Sequence, residues 1–223
     1  MAGYGQFCPI AQAAEVLTER WTPLVIRELV YGSRRFNEIQ RGVPLMSSSL
    51  LSRRLRMLEQ TGVIEHADGE YRLTPAGEEL RPLIELMGVW GEKWVRRTVS
   101  REDADAALLM WAVKRSVVHE HAPAGRTTVH FRFTQAPEPK RSWWLVLEPP
   151  LTDLCLKDPG YGVDLTVRSD PVTLAAVYMG DVTLATALER ADVVLQGPEH
   201  LTRGFPRWFG LSSLVGVRAS ARA

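Results

Sequence analysis

A chain of 223 residues, 45% hydrophobic and 24% charged with a net charge of +1, has the balance of a globular protein and room for one large domain or two ordinary ones. Cys8 and Cys155 are too few for a disulfide framework, and the N-terminus lacks a basic-then-apolar leader. No run approaches the ~18 apolar residues of a membrane span, so a cytoplasmic protein with no membrane partner is expected.

No period of 20–50 residues and no low-complexity segment beyond Pro137-Glu138-Pro139 is present, which excludes a repeat architecture. From the start, Cys8-Pro9 opens an apolar-periodic segment through Ile10, Ala13, Ala14 and Leu17. Thr22-Pro23 reads as an N-cap followed by proline at the first helical position, and Leu24, Val25, Leu29 and Val30 carry that helix to near Gly32. Arg34 to Arg41 predicts a short helix holding Phe36 and Ile39, stopped by Gly42, and Val43-Pro44-Leu45 is a turn.

The stretch Met46 to Gln60 predicts the helix on which the reading turns. Ser47, Ser48 and Ser49 offer capping hydroxyls, and Gly62 marks the stop. Leu51, Leu55 and Leu58 recur at i, i+4 and i+7, so they share one face. At about 100° per residue, Arg53 lies roughly 160° from the centre of that face, with Ser49, Ser52 and Arg56 on the same outer side. Hydroxyls and guanidiniums are the groups that bond phosphate oxygens and the O6/N7 edge of guanine. A merely solvated charged face is the bland alternative. Its surroundings favour DNA: between Arg34 and Arg56 stand six arginines (34, 35, 41, 53, 54 and 56) against one acid, Glu38. Helix, tight turn, helix with a polar outer face is helix-turn-helix order.

After Gly62, Asp68-Gly69 lies between two short strand-favouring runs, which predicts a hairpin placed as a wing. Asp68 and Glu70 at its tip repel phosphate, leaving His66 and Arg72 as its helpful groups. Thr74-Pro75 caps a further helix through Leu80, Leu83, Ile84, Met87, Trp90 and Trp94, with a kink expected at Pro82. Its tryptophan face is read either as core or as a surface for a partner subunit. A small winged domain has limited room for both rings, which favours the partner.

Cys8-Pro9, Arg20-Trp21-Thr22, Ile26-Arg27-Glu28-Leu29, Arg35-Phe36-Asn37-Glu38-Ile39, the run Leu51 to Glu59 and Leu73-Thr74-Pro75-Ala76-Gly77 together resemble the HxlR family of bacterial winged helix-turn-helix transcriptional regulators, over about residues 8–97. The resemblance implies a homodimer held by the first and last helices, here with Ile10, Leu17, Trp90 and Trp94 at the seam. It also implies two recognition helices in successive major grooves and a pseudo-palindromic double-stranded DNA operator with half-sites about 34–36 Å apart or a multiple of that. On this frame Ser47, Ser48 and Ser49 anchor phosphate at a helix N-terminus, Ser52, Arg53 and Arg56 face base edges, and Arg34 and Arg35 reach the DNA backbone. Arg54, about 60° off the leucine centre, is expected to pack its stem and pair with an acid such as Glu38. Some regulators of this type sense oxidants through a cysteine at the position of Cys8. The competing reading is a small structural residue, favoured by the lack of a basic neighbour or a resolving cysteine.

Ser100 to Asp105 is a polar linker, and Ala107, Leu108, Trp111, Arg115 and Val118 predict an amphipathic helix after it. The period then switches to two: strands are expected at Thr127 to Phe133, Ser142 to Leu147, Leu154 to Leu156, Val163 to Val167 and Val193 to Leu195. Helices are expected at Pro171 to Tyr178, Val182 to Leu188 and Pro198 to Phe205, which makes an α+β domain. Trp143-Trp144-Leu145-Val146, Leu154 to Gly160, Val163 to Val167, Ser169-Asp170 with Leu174, Gly180-Asp181 and Leu195-Gln196-Gly197 resemble the sterol-carrier-protein fold over about residues 104–210. That resemblance implies an apolar cavity, for which Trp111, Phe131, Phe133, Trp144, Leu174, Tyr178 and Trp208 are the candidate lining. His119-Glu120-His121 is the best metal candidate, yet i, i+2 histidines diverge on a helix and no third ligand is spaced beside them. No metal, cofactor or catalytic constellation is expected.

The sequence thus reads as two domains. Residues 1–99 form a mainly α winged helix-turn-helix DNA-binding and dimerisation domain, 100–105 a linker, and 106–223 an α+β, sterol-carrier-protein-like domain. The expected function is a homodimeric, sequence-specific regulator, a repressor by preference, controlled by an apolar small molecule. Its rivals are a regulator whose second domain is purely structural or dimerising, and a lipid-handling accessory protein whose winged domain contacts other proteins.

Overall fold

The computed structural model describes residues 3–96, 98–101 and 104–217. The chain divides into two compact units, residues 1–91 and 92–223. The division falls inside a helix, ahead of the domain boundary at residue 99 expected from the sequence. Glu102 and Asp103 of the expected linker lie outside the described residues.

The first unit runs α1 (Pro9–Leu17), α2 (Thr22–Val30), α3 (Phe36–Gly42), α4 (Ser48–Gln60), β1 (Ile64–Ala67), β2 (Glu70–Leu73), α5 (Pro75–Glu78) and the body of α6 (Arg81–Trp94). One apolar cluster joins Val25, Ile26 and Leu29 of α2, Ile39 of α3, Leu51, Leu55 and Leu58 of α4, Ile64 of β1 and Ile84 of α6. The hairpin pairs β1 and β2 antiparallel from Ile64–Leu73 to Ala67–Glu70. Asp68 and Gly69 between them both have positive φ, +54° and +75°, the geometry that matches a two-residue turn to the twist of its strands. Two expectations are corrected at helix starts. Trp21, not Thr22, stands at the N-cap of α2, in a left-handed conformation, and the buried Thr22 hydroxyl has no partner. Thr74 does cap, accepting from the Gly77 N–H at 3.2 Å, but the helix it starts is only α5. Pro82 then sits at the second residue of α6, where a missing N–H costs nothing, so the chain restarts a helix there instead of kinking one.

The second unit holds the end of α6, then α7 (Ala106–Ser116), β3 (Thr127–Phe133), β4 (Ser142–Glu148), β5 (Leu151–Cys155), β6 (Leu165–Ser169), α8 (Pro171–Tyr178), α9 (Leu184–Glu189), β7 (Val194–Gln196) and α10 (Glu199–Trp208). The sheet order is β5-β4-β3-β6-β7; β3 and β6 run parallel and every other pair antiparallel. It is an α+β unit with a mixed sheet. Residues that face each other across a ladder share a side of the sheet. On the inner side, Val129, Phe131 and Phe133, Trp143, Leu145 and Leu147, and Leu165 and Val167 pack in one cluster with helical residues that include Met110, Leu174, Phe205 and Trp208. The outer side carries Thr128 and His130 of β3, Trp144 and Val146 of β4, Cys155 of β5 and Thr166 of β6. Helix α7 starts at its Asp105 cap and buries the expected Trp111, but its residues in the sheet cluster are Ala106, Leu109, Met110 and Val113, joined by Val117 at its end, rather than Leu108 and Arg115. Asp105 accepts from the N–H groups of Ala107 and Leu108 at 2.8 and 3.1 Å.

Candidate nucleic-acid interface

Helix α4 is set by its apolar side. Leu51, Leu55 and Leu58 are 0–1% exposed, which fixes the rotation of the helix and leaves Ser48, Ser49, Arg53, Arg56, Glu59 and Gln60 in solvent. Ser47 is the N-cap, its hydroxyl accepting from the Leu50 N–H at 3.3 Å and lying 3.2 Å from the Ser49 hydroxyl. Met46 is not part of the helix; it is buried in the preceding turn. That turn is held by Gln40, whose amide donates to the carbonyls of Val43 (3.3 Å) and Met46 (2.7 Å). A polar side chain thereby satisfies two carbonyls that no helix uses, and the angle between α3 and α4 is fixed.

The arginines separate into ones turned into the fold and ones exposed on its surface. Arg54 is buried and pairs with Glu19, not Glu38, while its Nε donates to the Arg20 carbonyl at 3.3 Å. Glu38 instead accepts from the backbone N–H groups of Arg34 (2.8 Å) and Arg35 (3.0 Å), fastening the start of α3. Arg34 turns its guanidinium inward, donating to the carbonyls of Leu29 (2.8 Å) and Ser33 (3.1 Å). That corrects its expected role: it caps the end of α2, and Arg35 is the exposed member of the pair. Ser52 is half-buried and donates its hydroxyl to the Ser48 carbonyl at 2.9 Å, so toward a base it is left as an acceptor. Arg53 and Arg56 project from the exposed side.

A second support was not read from the sequence. Glu28, fully buried, accepts from Arg27 at 2.8 Å and from the Ser33 hydroxyl at 3.3 Å, and Arg27 also donates to the Gly42 carbonyl at 2.8 Å. The Arg27-Glu28 dipeptide thus ties the end of α3 to α2. Only partner geometry, not spacing, reveals this.

In the hairpin, His66 stacks on Tyr71 with centroids 4.1 Å apart, and Arg72 pairs with Glu70 at 2.7 Å. Burial raises the Tyr71 phenol pKa above its ordinary value, the Glu59 charge adds to this, and Arg56 opposes it. The Tyr71 N–H donates to the Arg34 carbonyl at 2.7 Å, which seats β2 beside the α2–α3 loop.

The candidate seam residues are exposed: Ile10 by 79%, Trp90 by 59% and Trp94 by 70%, while Leu17 is half-buried against the core. Cys8 is a free, half-buried thiol at the N-cap of α1.

The HxlR-like helix-turn-helix family model matches residues 16–99. YvaP of Bacillus subtilis (strain 168), described as an uncharacterized HTH-type transcriptional regulator, is 34% identical over 98 residues, which make up 40% of this chain and 91% of YvaP. This chain belongs to the HxlR-like helix-turn-helix family. The solved structure of quinone-bound YodB from B. subtilis is similar at 35% identity, over 38% of this chain and 98% of that one, with a TM-score of 0.36. The sec-alkylsulfatase Pisa1 from Pseudomonas sp. is similar at 17% identity, over 51% of this chain and 17% of that one, with a TM-score of 0.41; that likeness assigns no function.

Outside the HxlR-like match, the seven residues expected to line one apolar pocket do not share a wall. Phe131, Phe133, Leu174 and Trp208 are 0–1% exposed and fill the core between sheet and helices, with Tyr178 half-buried against them. Trp144 lies on the other side of the sheet, because strand alternation sends it opposite to Trp143 and Phe131. Trp111 is buried, with the Lys114 ammonium 4.9 Å and the Arg115 guanidinium 5.5 Å from its ring centroid. His119 and His121 fall in a 3-10 turn, where His119 Nε2 is 3.5 Å from the Thr152 hydroxyl. Among the described residues no three His, Cys, Asp or Glu gather as a metal set, and no helix is long and apolar enough to cross a membrane.

Proposed function

We propose that the protein is a DNA-binding transcriptional regulator that acts as a homodimer and reads its operator with α4. The observation that carries this is the rotation of α4: three leucines sealed in the core force Arg53 and Arg56 outward behind a serine-rich N-terminus. Arg53 and Arg56 face base edges, with Ser52 as an acceptor. The hydroxyls of Ser47, Ser48 and Ser49, with the first N–H groups of α4 and the side chain of Arg35, bind phosphate. His66 and the paired Arg72 give the wing a minor part. The name of YvaP, a transcriptional regulator, supports the same reading.

Dimerisation through α1 and α6 is supported by their exposed apolar residues Ile10, Leu86, Met87, Trp90 and Trp94, with Phe7 just before α1, the kind of surface that a subunit contact covers. A two-fold dimer sets the two α4 helices on successive turns of a pseudo-palindromic site. Repression is the simplest consequence, since a bound dimer blocks polymerase. The second unit is read as an effector domain for an apolar molecule, which is what the sterol-carrier resemblance implies. The closed core of that unit favours a second reading, a structural module with no effector. Native mass spectrometry and analysis of co-purified lipid separate the two.

Selection of bound duplexes from a random pool, followed by affinity measured against salt, tests the DNA reading. Affinity falls steeply, with a log–log slope of about −0.9 per phosphate contacted. A flat response ends this proposal.

A further inference from the structure

Three polar atoms on the outer side of the five-stranded sheet are shielded from solvent and have no hydrogen-bond partner among the described residues: Thr128 Oγ1, His130 Nε2 and Trp144 Nε1. They form one group. Thr128 and His130 are two residues apart on β3, and His130 faces Trp144 across the β3–β4 ladder. Thr128 is 1% exposed. Folded chains leave few buried polar atoms unpaired, and three together mark a place where a partner of another kind belongs.

We propose that this outer side, at Thr128, His130 and Trp144, is a binding site for a small planar molecule with acceptor oxygens, of the aromatic carboxylate class. The chemistry follows from the atoms. An indole N–H only donates, so the partner must accept there. A threonine hydroxyl donates or accepts, and a carboxylate with two oxygens spans a pair of donors. His130 and Trp144 lie parallel within 5°, their centroids 4.5 Å apart. That row ends at Cys155, a small side chain opposite Trp144 on the edge strand β5. Trp144 is half-buried although its N–H is shielded, so part of the residue remains exposed where a flat ring could pack.

The surroundings suit such a guest. Burial lowers the His130 pKa, Arg132 lowers it further and Asp158 opposes both, so protonation of the imidazole is disfavoured. Loop 156–163 lies close by: the Arg126 guanidinium is 4.1 Å from the centroid of its Tyr161 ring, and Asp164 at its end accepts from the Thr128 N–H at 2.8 Å. The site is distinct from the filled core between sheet and helices, and it stands whether or not its occupant alters DNA affinity.

The test uses the full-length, 15N-labelled protein, with the indole N–H signal of Trp144 assigned by Trp144→Phe. Benzoate is the probe; benzyl alcohol supplies the ring without the carboxylate, and acetate the carboxylate without the ring. Benzoate is expected to shift the Trp144 signal saturably with a Kd at or below about 1 mM, and each control to bind at least about tenfold more weakly. Thr128→Val should weaken benzoate about tenfold and Thr128→Ser should keep it. If Thr128→Val fails to fold, the three probes on the unaltered chain and on Thr128→Ser decide alone. A signal unmoved by about 10 mM benzoate, or moved equally by acetate, overturns the proposal. So does a water contact at the indole N–H that persists through the titration, since ordered water is then the partner. Operator affinity measured on the same sample without benzoate keeps this outcome separate from the DNA reading.

Discussion

The outer face of α4 in the first unit and the outer side of the sheet in the second hold polar groups under opposite conditions. On α4, Ser48, Ser49, Arg53 and Arg56 stand in water above leucines sealed at 0–1% exposure. On the sheet, Thr128, His130 and Trp144 keep polar atoms out of water without a partner. Hydrated donors carry no desolvation cost until a large polyanion displaces their water and counterions, which suits a duplex. Dry, unpaired donors suit only a partner small enough to reach them. The same inventory of groups therefore points to different classes of ligand according to burial.

The comparison breaks first if the units do not fold separately. A Cβ on Gly77 would stand 2.1 Å from the Val63 carbonyl oxygen, and one on Gly210 1.5 Å from the Ser116 carbonyl oxygen, both backbone atoms that cannot step aside. Gly77→Ala should cost the first unit, and Gly210→Ala the second, on the order of 3–5 kcal/mol. Denaturant melts followed by amide signals from each unit check this. Each substitution should lower one transition and leave the other, and a single shared shift would mean one cooperative body.

Next in size is the seam. Trp90→Lys should weaken the dimer by about 2 kcal/mol or more, because buried tryptophans dominate interfaces and a lysine there leaves a charge to desolvate. Sedimentation over a dilution series reads the change. An unaltered dimer would move the seam elsewhere. Arg53→Ala follows: it should cost about 1–3 kcal/mol on the selected site and relax base choice, whereas equal weakening on every sequence would make Arg53 a phosphate contact.

How far the sequence foretells these features depends on the range of the interaction. Leu51, Leu55 and Leu58 announce α4, and Asp68-Gly69 announces the hairpin, because periodicity and turn chemistry act within a few residues. The fate of Arg54 does not follow that way: its rotation is legible, but Glu19 as partner is 35 residues off. Arg34 fails for the same reason, its guanidinium being absorbed by carbonyls at the end of α2. Thr22 and Pro82 carry correct local signals that neighbouring turns displace by one or two residues. In the second unit the strands are legible one by one. The side of the sheet on which Trp144 lies is not, because adjacent Trp143 and Trp144 satisfy either register until β3 is paired.

Smaller again is a pH effect confined to the second unit. The His130 pKa is depressed in the folded chain, chiefly by burial and then by Arg132, with Asp158 opposing. A histidine depressed on folding takes up its proton more readily in the unfolded chain, so no penalty exists well above its unfolded value of 6.5, and stability falls as pH drops below it. The second-unit transition should therefore weaken between pH 7 and pH 5. His130→Asn should flatten that slope while the first unit keeps its own.

Arg72→Ala is the smallest expected change and the most direct probe of the wing. An unpaired arginine at a hairpin tip would add a phosphate contact, and losing it would cut affinity severalfold and lower the salt slope by about one. Here Arg72 is half exposed and already engaged by Glu70 at 2.7 Å, beside Asp68 in the turn. Releasing it for phosphate would leave two acids facing the duplex. Operator affinity of Arg72→Ala should thus stay within about 0.5 kcal/mol of the unaltered chain, with the same salt slope, and so should stability, since exposed pairs are worth little. A drop of one in the slope would show that the wing reaches the backbone after all, and that α4 shares the duplex with it.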